Sequence, residues 1–256
     1  MMEYFVGEHM GHCGDNICCL SAAIEFAEKV DGIVYVNFFK DVVDAYNHPR
    51  LKYGDRGVEI HVMAAHSHRN KTPCLFVNLL GTYYAEFGLP IVEPELRLPQ
   101  FEKCESRALI QPVSRFAQNP PGRYVQGIVN AFVTRSGRKL YAIGNKETSR
   151  NLENVDYSLL KDDIPFMMRQ IQNASCVLTP RSLSANLAAG YHVPAFMWSP
   201  DDGEDWHIEY KGWRGVKCNF GKTPDKTLEH LSRFVDEFLL KTFDIQSDGK
   251  KTEAIT

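Results

Sequence analysis

Residues 171–190 read IQNASCVLTPRSLSANLAAG, and this stretch decides the fold. The apolar run 176–178 predicts a buried strand, the polar turn after it contains Pro180, and the small residues up to Gly190 predict a helix. Backbone N–H groups at a helix start attract anions, so a strand, turn and helix of this kind can hold phosphate. An ordinary strand-to-helix connection with Ser182 as its N-cap explains the same pattern.

The same alternation runs along the rest of the chain. It predicts strands at 4–6, 33–36, 108–111, 139–144 and 192–197, strands or buried helices at 58–63 and 74–77, and helices at 17–29, 78–87, 122–135, 163–173 and 226–243. Strand, helix and strand in this order predict parallel sheets, and ligands bind at the carboxyl ends of such strands. We therefore predict the α/β class, with two Rossmann-like domains facing a cleft.

A proline-rich connection separates the two halves of this pattern, at Pro90, Pro94 and Pro99. It places the domain boundary near residues 99–106. We expect an N-terminal domain over 1–103, a second domain over 104–225, a helix over 226–245 and a disordered tail over 246–256. The helix has an apolar face, so we expect it to pack back toward the first domain; this face comprises Leu228, Leu231, Phe234, Val235, Phe238 and Leu239.

Composition excludes several classes of protein. The 256 residues are 44% hydrophobic, which is enough for a sizeable core, and the net charge of −3 lacks the basic footprint of nucleic-acid binding. No apolar run reaches membrane length and no signal peptide is apparent, so we predict a cytoplasmic protein. Seven scattered cysteines indicate reduced core thiols. Because Cys13 and Cys18 with His9 and His12 match no four-ligand zinc pattern, we predict no metal site.

Three further polar segments follow predicted strands and face the same cleft. They are residues 12–16, 111–123 and 144–147. In the first, Gly14 permits a tight turn and Asp15 begins the first helix. Each segment also has a purely structural interpretation, respectively an N-cap carboxylate, a solvated basic loop and a polar turn.

Taken in order, these segments resemble the lipopolysaccharide heptosyltransferases, which are nucleotide-sugar glycosyltransferases of the two-domain GT-B fold (glycosyltransferase family 9). Gly14-Asp15 match the family's Gly-Asp at the first helix, with Ser21 where the family has proline. Phe87-Gly88-Leu89 and Leu96-Arg97-Leu98 are similar to the end of its first domain. Residues 174–189 are similar to its Ala-Asp-x-x-Val-x-x-Asp-Ser-Gly-x-x-His-Leu-Ala-Ala pattern, and Val193-Pro194 to its Pro-Val strand entry. Here Arg181 replaces the family's acid, Leu183 its glycine and Asn186 its histidine.

The resemblance implies a compact GT-B enzyme that transfers a sugar from a nucleotide-sugar donor to an acceptor hydroxyl, with inversion and without a metal or other cofactor. Asp15 is the expected general base, and Gly14, His9 and His12 lie on the acceptor side. The donor is expected to contact Arg115 and Arg123 through its diphosphate, because arginine binds phosphate with paired donors. The remaining donor-side residues are Ser114, Glu147 toward the ribose, Arg181, Ser182, Ser184 and Asn186.

Several functions stay open at this point. The acceptor can be a glycan, a small molecule or a hydroxymethylated DNA base, since each presents a hydroxyl, and the basic segment 66–71 permits a polyanion. The overall negative charge argues against DNA. A non-catalytic protein that binds a nucleotide or sugar phosphate also fits, because the acid and histidine of the 179–186 turn are missing. A Rossmann-type cofactor enzyme fits less well, since residues 11–14 lack the third glycine of that fingerprint.

Overall fold

A computed structural model describes residues 1–7, 13–60, 79–90, 95–114, 119–199, 213–220 and 226–240. For residues 13, 15 and 79–82 it describes the backbone alone. The strands are β1 Glu3–Val6, β2 Ile33–Val36, β3 Leu51–Tyr53, β4 Val58–Glu59, β5 Ala108–Ile110, β6 Leu140–Ala142, β7 Val155–Asp156, β8 Cys176–Pro180, β9 Ala195–Ser199 and β10 Gly215–Asn219. The helices are α1 Cys13–Lys29, α2 Lys40–Tyr46, α3 Leu79–Glu86, α4 Gly122–Ser136, α5 Ile164–Gln172, α6 Leu183–Gly190 and α7 Thr227–Val235, with a 3-10 turn at Lys146–Thr148 and a π-helical turn at Asp236–Leu240.

The strands form two separate sheets, and every pairing is parallel. The first sheet has the order β3-β2-β1-β4, and the second has the order β10-β9-β8-β5-β6-β7. Helices return the chain from β1 to β2, β2 to β3, β5 to β6, β7 to β8 and β8 to β9, because parallel pairing requires a crossover. The prediction of two Rossmann-like domains is therefore confirmed. The first sheet ends at residue 59 and the second begins at residue 108; the boundary between 103 and 104 stays a prediction.

Two hydrophobic cores cover the faces of the second sheet. One lies under α4 and α7 and includes Phe132, Trp198 and Phe234. The other covers the opposite face and continues into the first domain, from Val177 and Leu187 to Ile17 and Val34. The helices α1 and α2 contact α6 and α5 respectively, so the two domains share this second core. Their relative position is consequently held by apolar packing as well as by the connection.

The predicted position of the C-terminal helix is wrong for its described part. The segment from Thr227 to Leu240 packs on α4 and β10 of the second domain, not toward the first. The unpredicted strand β10 extends the second sheet, and the buried Leu231 and Phe234 cover this face beside α4. Leu228, predicted on the apolar face, is 51% exposed. Residues 241–256, which include the predicted tail, lie outside the described residues.

The predicted elements otherwise match the described ones to within a few residues. The sequence patterns missed α2, β3, β7 and β10, which are all short. Helix α1 begins at Cys13, two residues before the predicted start at Asp15. Strand β9 begins after Pro194, three residues later than predicted, because the proline cannot donate to the sheet. Of the ambiguous segments, only 58–60 is described and 58–59 is a strand; residues 61–63 and 74–77 lie outside the described ranges.

Candidate active site

The second sheet reverses its direction of growth between β5 and β8. These strands are neighbours, and the chain leaves β5 through α4 toward β6 but leaves β8 through α6 toward β9. The helices therefore leave on opposite faces and open a crevice at the carboxyl ends of the two strands. In parallel α/β sheets, ligands bind at such a switch point.

The helix starts that flank this switch point lack side-chain caps. Neither Pro121 before α4 nor Ser182 before α6 provides a side-chain hydrogen bond to its helix within the described residues. By contrast, Asn145 caps the 3-10 turn behind β6, and Asp163 caps α5 by accepting from Phe166 N at 2.8 Å. Helix α7 is also uncapped, but it begins at the far end of the sheet, after β10. The uncapped starts of α4 and α6 thus leave donors directed at one crevice.

Helix α5 shows how the charge at a helix start changes when a side-chain carboxylate, here that of Asp163, caps it. The hydrogen bond of Asp163 with Lys161 and the backbone N–H of Phe166 lower the pKa of its carboxyl group. The positive end of α5 is therefore already occupied by a carboxylate of the chain. The starts of α4 and α6 have no such carboxylate in their first turns.

A polar network lies behind the start of α6. The hydroxyls of Thr179 and Ser182 are 3.0 Å apart, those of Thr179 and Ser184 2.8 Å, and those of Ser182 and Ser184 2.9 Å. Ser182 Oγ and Ser184 Oγ both donate to Gln111 Oε1, the former at 3.3 Å. Ser184 is fully buried, so its hydroxyl is directed into the protein. This corrects the expectation that the Ser184 hydroxyl faces the donor.

The two predicted halves of the site meet at Gly14 and Asn186. A Cβ added to Gly14, in the first turn of α1, would lie 2.7 Å from Asn186 Nδ2 in the first turn of α6. The same Nδ2 donates to the carbonyl oxygen of Ser182 at 3.3 Å. The starts of α1 and α6 therefore face each other across the surface where the two domains meet, which we call the domain seam. The absence of a Cβ at Gly14 permits their close approach.

Three buried polar atoms in α1 and β9 have no hydrogen-bond partner among the described residues. They are Asn16 Oδ1 in α1, and Trp198 Nε1 and Ser199 Oγ at the carboxyl end of β9. Ser199 lies on the same face of its strand as Met197, which packs against Ala185 of α6. Ser199 is two residues further along this face of the strand, at the carboxyl end of the sheet where α6 begins. Such atoms carry a desolvation cost that a ligand or an ordered water would remove. Sequence patterns gave no signal for Ser199.

Basic residues lie beside the start of α4. Arg123 is exposed in the first turn of the helix and makes no hydrogen bond or ion pair within the described residues. Arg150, which the sequence analysis did not select, donates to the carbonyl oxygen of Pro120 at 2.9 Å and contacts the position of Gly122. Ser114 is buried, and its backbone is clasped by Asn119 through two hydrogen bonds of 2.7 Å. Arg115 lies outside the described residues.

Two further predicted residues, Glu147 and Arg181, follow strands of the second sheet at this edge. Glu147 is exposed in the 3-10 turn after β6, and Arg181 is half-buried, with its backbone N–H donating to Trp198 O at 3.1 Å. Asp15 lies in the first turn of α1, but its side chain is not among those described. His9 and His12 fall outside the described ranges. The structure thus brings together Gly14, Ser182, Ser184 and Asn186, and the roles assigned to these and to all the other predicted site residues stay predictions.

A groove of about 1160 Å³ opens at the opposite edge of the domain seam, where α2, α5 and α6 end. Its polar groups are already used. Tyr46 Oη and Tyr191 Oη each donate at 2.8 Å to a carbonyl oxygen of the connecting segment, which joins the two domains at residues 95–103. Gln172 Oε1 accepts a hydrogen bond from Phe101 N of the same segment at 2.8 Å. We therefore place the site at the switch point, where buried polar atoms lack partners among the described residues.

The described residues contain no group of three or more His, Cys, Asp or Glu side chains that could hold a metal ion. None of the helices within these ranges has the length and hydropathy needed to cross a membrane. Within the described ranges, Cys104, Cys176 and Cys218 form no disulfide. Burial raises the pKa of the Cys176 thiol to about 12, so this cysteine is an inert core residue.

Comparison with known proteins identifies the fold. No protein-family model matches the chain, and no curated protein matches it. Solved structures do match. The chain has the fold of the heptosyltransferases. An Escherichia coli heptosyltransferase, WaaC with ADP, matches with a TM-score of 0.61 and 11% identity over 92% of this chain and 99% of that one.

Two further structures agree. The glycosyl transferase family 9 protein of Veillonella parvula DSM 2008 has a TM-score of 0.59 and 12% identity over 95% of this chain and 96% of that one. The iron-containing dodecameric glycosyltransferase TibC of enterotoxigenic E. coli H10407 has a TM-score of 0.58 and 14% identity over 98% and 78%. The resemblance in fold predicted from the four sequence segments is therefore confirmed.

Proposed function

We propose that this protein is a nucleotide-sugar glycosyltransferase. One observation carries the proposal: at the switch point of the second sheet, the uncapped start of α6 faces the start of α1 across the domain seam at Gly14. A diphosphate suits such a helix start, and an acceptor group of the first domain suits the facing side. The donor is a nucleotide sugar, as in the structure of a related heptosyltransferase described with ADP-heptose.

The donor diphosphate lies between the starts of α4 and α6 in this proposal. Backbone N–H groups of Leu183 and Ser184 face its oxygens, and Arg115 and Arg123 contribute positive charge beside them. Arg150 supports the same edge through its hydrogen bond to Pro120 O. Arg181 and Asn186 flank the diphosphate, and Glu147 accepts hydrogen bonds from the ribose.

The transfer itself follows from this arrangement. Asp15 removes the proton of the acceptor hydroxyl while the hydroxyl oxygen bonds to the anomeric carbon of the sugar. The bond from that carbon to the phosphate oxygen breaks, and its electron pair leaves with the nucleoside diphosphate. Because attack comes from the face opposite the leaving group, the configuration inverts. Helix dipoles and arginines stabilise the departing charge, so the step needs no metal. His9 and His12 contact the acceptor.

Calorimetric titration of nucleoside diphosphates and nucleotide sugars tests the donor site. We expect Arg123→Ala and Arg115→Ala each to weaken binding by about 1–3 kcal/mol, the scale of a hydrogen bond to a charged group. Arg135→Ala is the matched control, because Arg135 is at the other end of α4 and pairs with Asp236. Unchanged affinity in both site variants contradicts this donor position.

The same titrations address the non-catalytic alternative. Arg181 and Asn186 replace an acid and a histidine of the resembling family, so binding and turnover must be measured separately. Release of nucleoside diphosphate from a bound nucleotide sugar supports the enzyme. Tight binding with no donor consumed, across a panel of hydroxyl acceptors, supports a binding protein.

A further inference from the structure

The polar network behind α6 fixes where each hydroxyl proton points. Gln111 Nε2 donates to Val113 O at 2.9 Å, so Gln111 Oε1 must face the hydroxyls and can only accept from them. Ser184 donates to this oxygen, and Thr179 donates to Pro180 O at 2.8 Å. The hydroxyl of Ser182 therefore donates inward, to Gln111 or to a neighbouring hydroxyl oxygen.

This arrangement keeps Ser182 from acting as a cap. A serine at the N-cap position normally accepts a hydrogen bond from the backbone N–H of the second or third helical residue, here Ser184 or Ala185. Ser182 holds that position before α6 but makes no such bond within the described part of the chain. Its Oγ instead lies within hydrogen-bond distance of Gln111 Oε1 and of the Thr179 and Ser184 hydroxyls.

A second observation indicates that this space is reserved for a ligand. Ser199 is 2% exposed and lies on the face of β9 that also carries Met197, which packs against Ala185 of α6, and its hydroxyl has no hydrogen-bond partner among the described residues. A serine that capped α6 would reduce the donors available there. The absence of the cap and the unpartnered Ser199 hydroxyl both leave polar groups for an incoming diphosphate.

We propose that Gln111 is a positioning residue of the donor site: it holds Ser182 away from α6 and thereby keeps the first-turn N–H groups open to a diphosphate. This inference rests on the proposed function. Gln111 contacts no substrate and acts through Ser182. Without the glutamine, Ser182 can accept a hydrogen bond from a backbone N–H at the start of α6. The serine hydroxyl then competes with the diphosphate for that N–H group.

A double-mutant cycle with inorganic pyrophosphate as the probe tests the proposal. Gln111→Leu should weaken pyrophosphate binding about fivefold, the size of a typical N-cap interaction. In a Ser182→Ala background, Gln111→Leu should have no further effect, since alanine cannot cap. Additive losses in the two backgrounds overturn the proposal. Gln111→Met replaces the leucine variant if the latter does not fold.

Amide hydrogen exchange gives a readout that does not require the ligand. The N–H of Ser184 should exchange more slowly in Gln111→Leu than in the wild type, and the slowing should vanish in the double variant; the N–H of Ala185 already donates to Ser182 O at 3.1 Å. Unchanged exchange overturns the role of Gln111 even if pyrophosphate binds. Altered exchange without any pyrophosphate binding to the wild type supports the Ser182 switch and contradicts the proposed donor site.

Gln172→Leu is the matched control. Gln172 also accepts a hydrogen bond from a backbone N–H through Oε1, but at the opposite edge of the seam. It should lower stability without changing pyrophosphate affinity. A comparable loss of affinity in this control would attribute the Gln111 effect to general destabilisation and overturn the inference.

Discussion

The two edges of the domain seam differ in whether their polar groups are already hydrogen-bonded. At the connecting edge, Tyr46, Tyr191 and Gln172 hydrogen-bond the segment that joins the domains. Arg97 of that segment adds ion pairs of 2.6 Å to Glu25 and 2.5 Å to Glu28. At the switch-point edge, α4 and α6 begin without side-chain caps, and Ser199 Oγ is buried with no hydrogen-bond partner in the part of the chain that the structure describes.

Helix α6 belongs to both edges, which makes the comparison direct. Its end approaches Leu96 and Leu98 of the connecting segment at Gly190, and its start approaches α1 through Asn186 and Gly14. One contact is apolar and close-packed, and the other joins a glycine to a polar amide. The difference indicates that the first edge maintains the arrangement of the domains while the second retains polar groups for chemistry.

The largest expected effect is on chemistry at the switch-point edge. Asp15→Asn should reduce turnover by about 100-fold to 10,000-fold, because it removes the general base, with donor affinity near that of the wild type. Release of nucleoside diphosphate measures the rate, and calorimetry measures the affinity. Asp163→Asn is the control: it removes a carboxylate from the start of α5 but preserves a capping oxygen. Wild-type turnover in Asp15→Asn assigns Asp15 a structural role only.

The connecting edge should respond in stability alone. A Cβ on Gly190 would lie 2.6 Å from Leu98 Cδ1 and 2.8 Å from Leu96 Cδ2, so Gly190→Ala should lower the free energy of unfolding by about 1–3 kcal/mol through overpacking. Urea denaturation measures the change. Gly127→Ala in α4 is the control, because its Cβ meets nothing within 4 Å and should stabilise the helix by about 0.5–1 kcal/mol. Weaker donor binding in Gly190→Ala contradicts the separation of the two edges.

The features of this molecule that could be predicted from the sequence are those that a short local pattern of residues determines. The strand, turn and helix at 176–190 was predicted because an apolar run, a proline and small residues signal it within a few positions. Strand β7 was missed because two residues give no periodicity, and β10 because its alternation rests on only two apolar residues, Val216 and Cys218. The apolar face of α7 indicated that it was buried but carried no information about which domain buries it.

The site was predictable only as far as the positions of its loops. Ser182 and Ser184 were selected correctly as residues of the helix start, but their hydroxyls point toward Gln111, which is distant in sequence. The contact of Gly14 with Asn186 likewise depends on how two domains pack. Such features depend on tertiary contacts between residues that are distant in sequence, so the sequence around either residue does not indicate them.

The smallest expected effect concerns the contact that joins the starts of α1 and α6. Gly14→Ala would place its Cβ 2.7 Å from Asn186 Nδ2, but this amide is the end of a side chain and can turn, so we expect a loss of only about 1 kcal/mol in unfolding free energy. Adding Asn186→Ser should restore most of it, because serine is shorter. Gly190→Ala should show no such rescue by Asn186→Ser. If the Asn186 change leaves Gly14→Ala as unstable as before, the strain lies elsewhere in α1, and the seam at the switch point is not held by this pair.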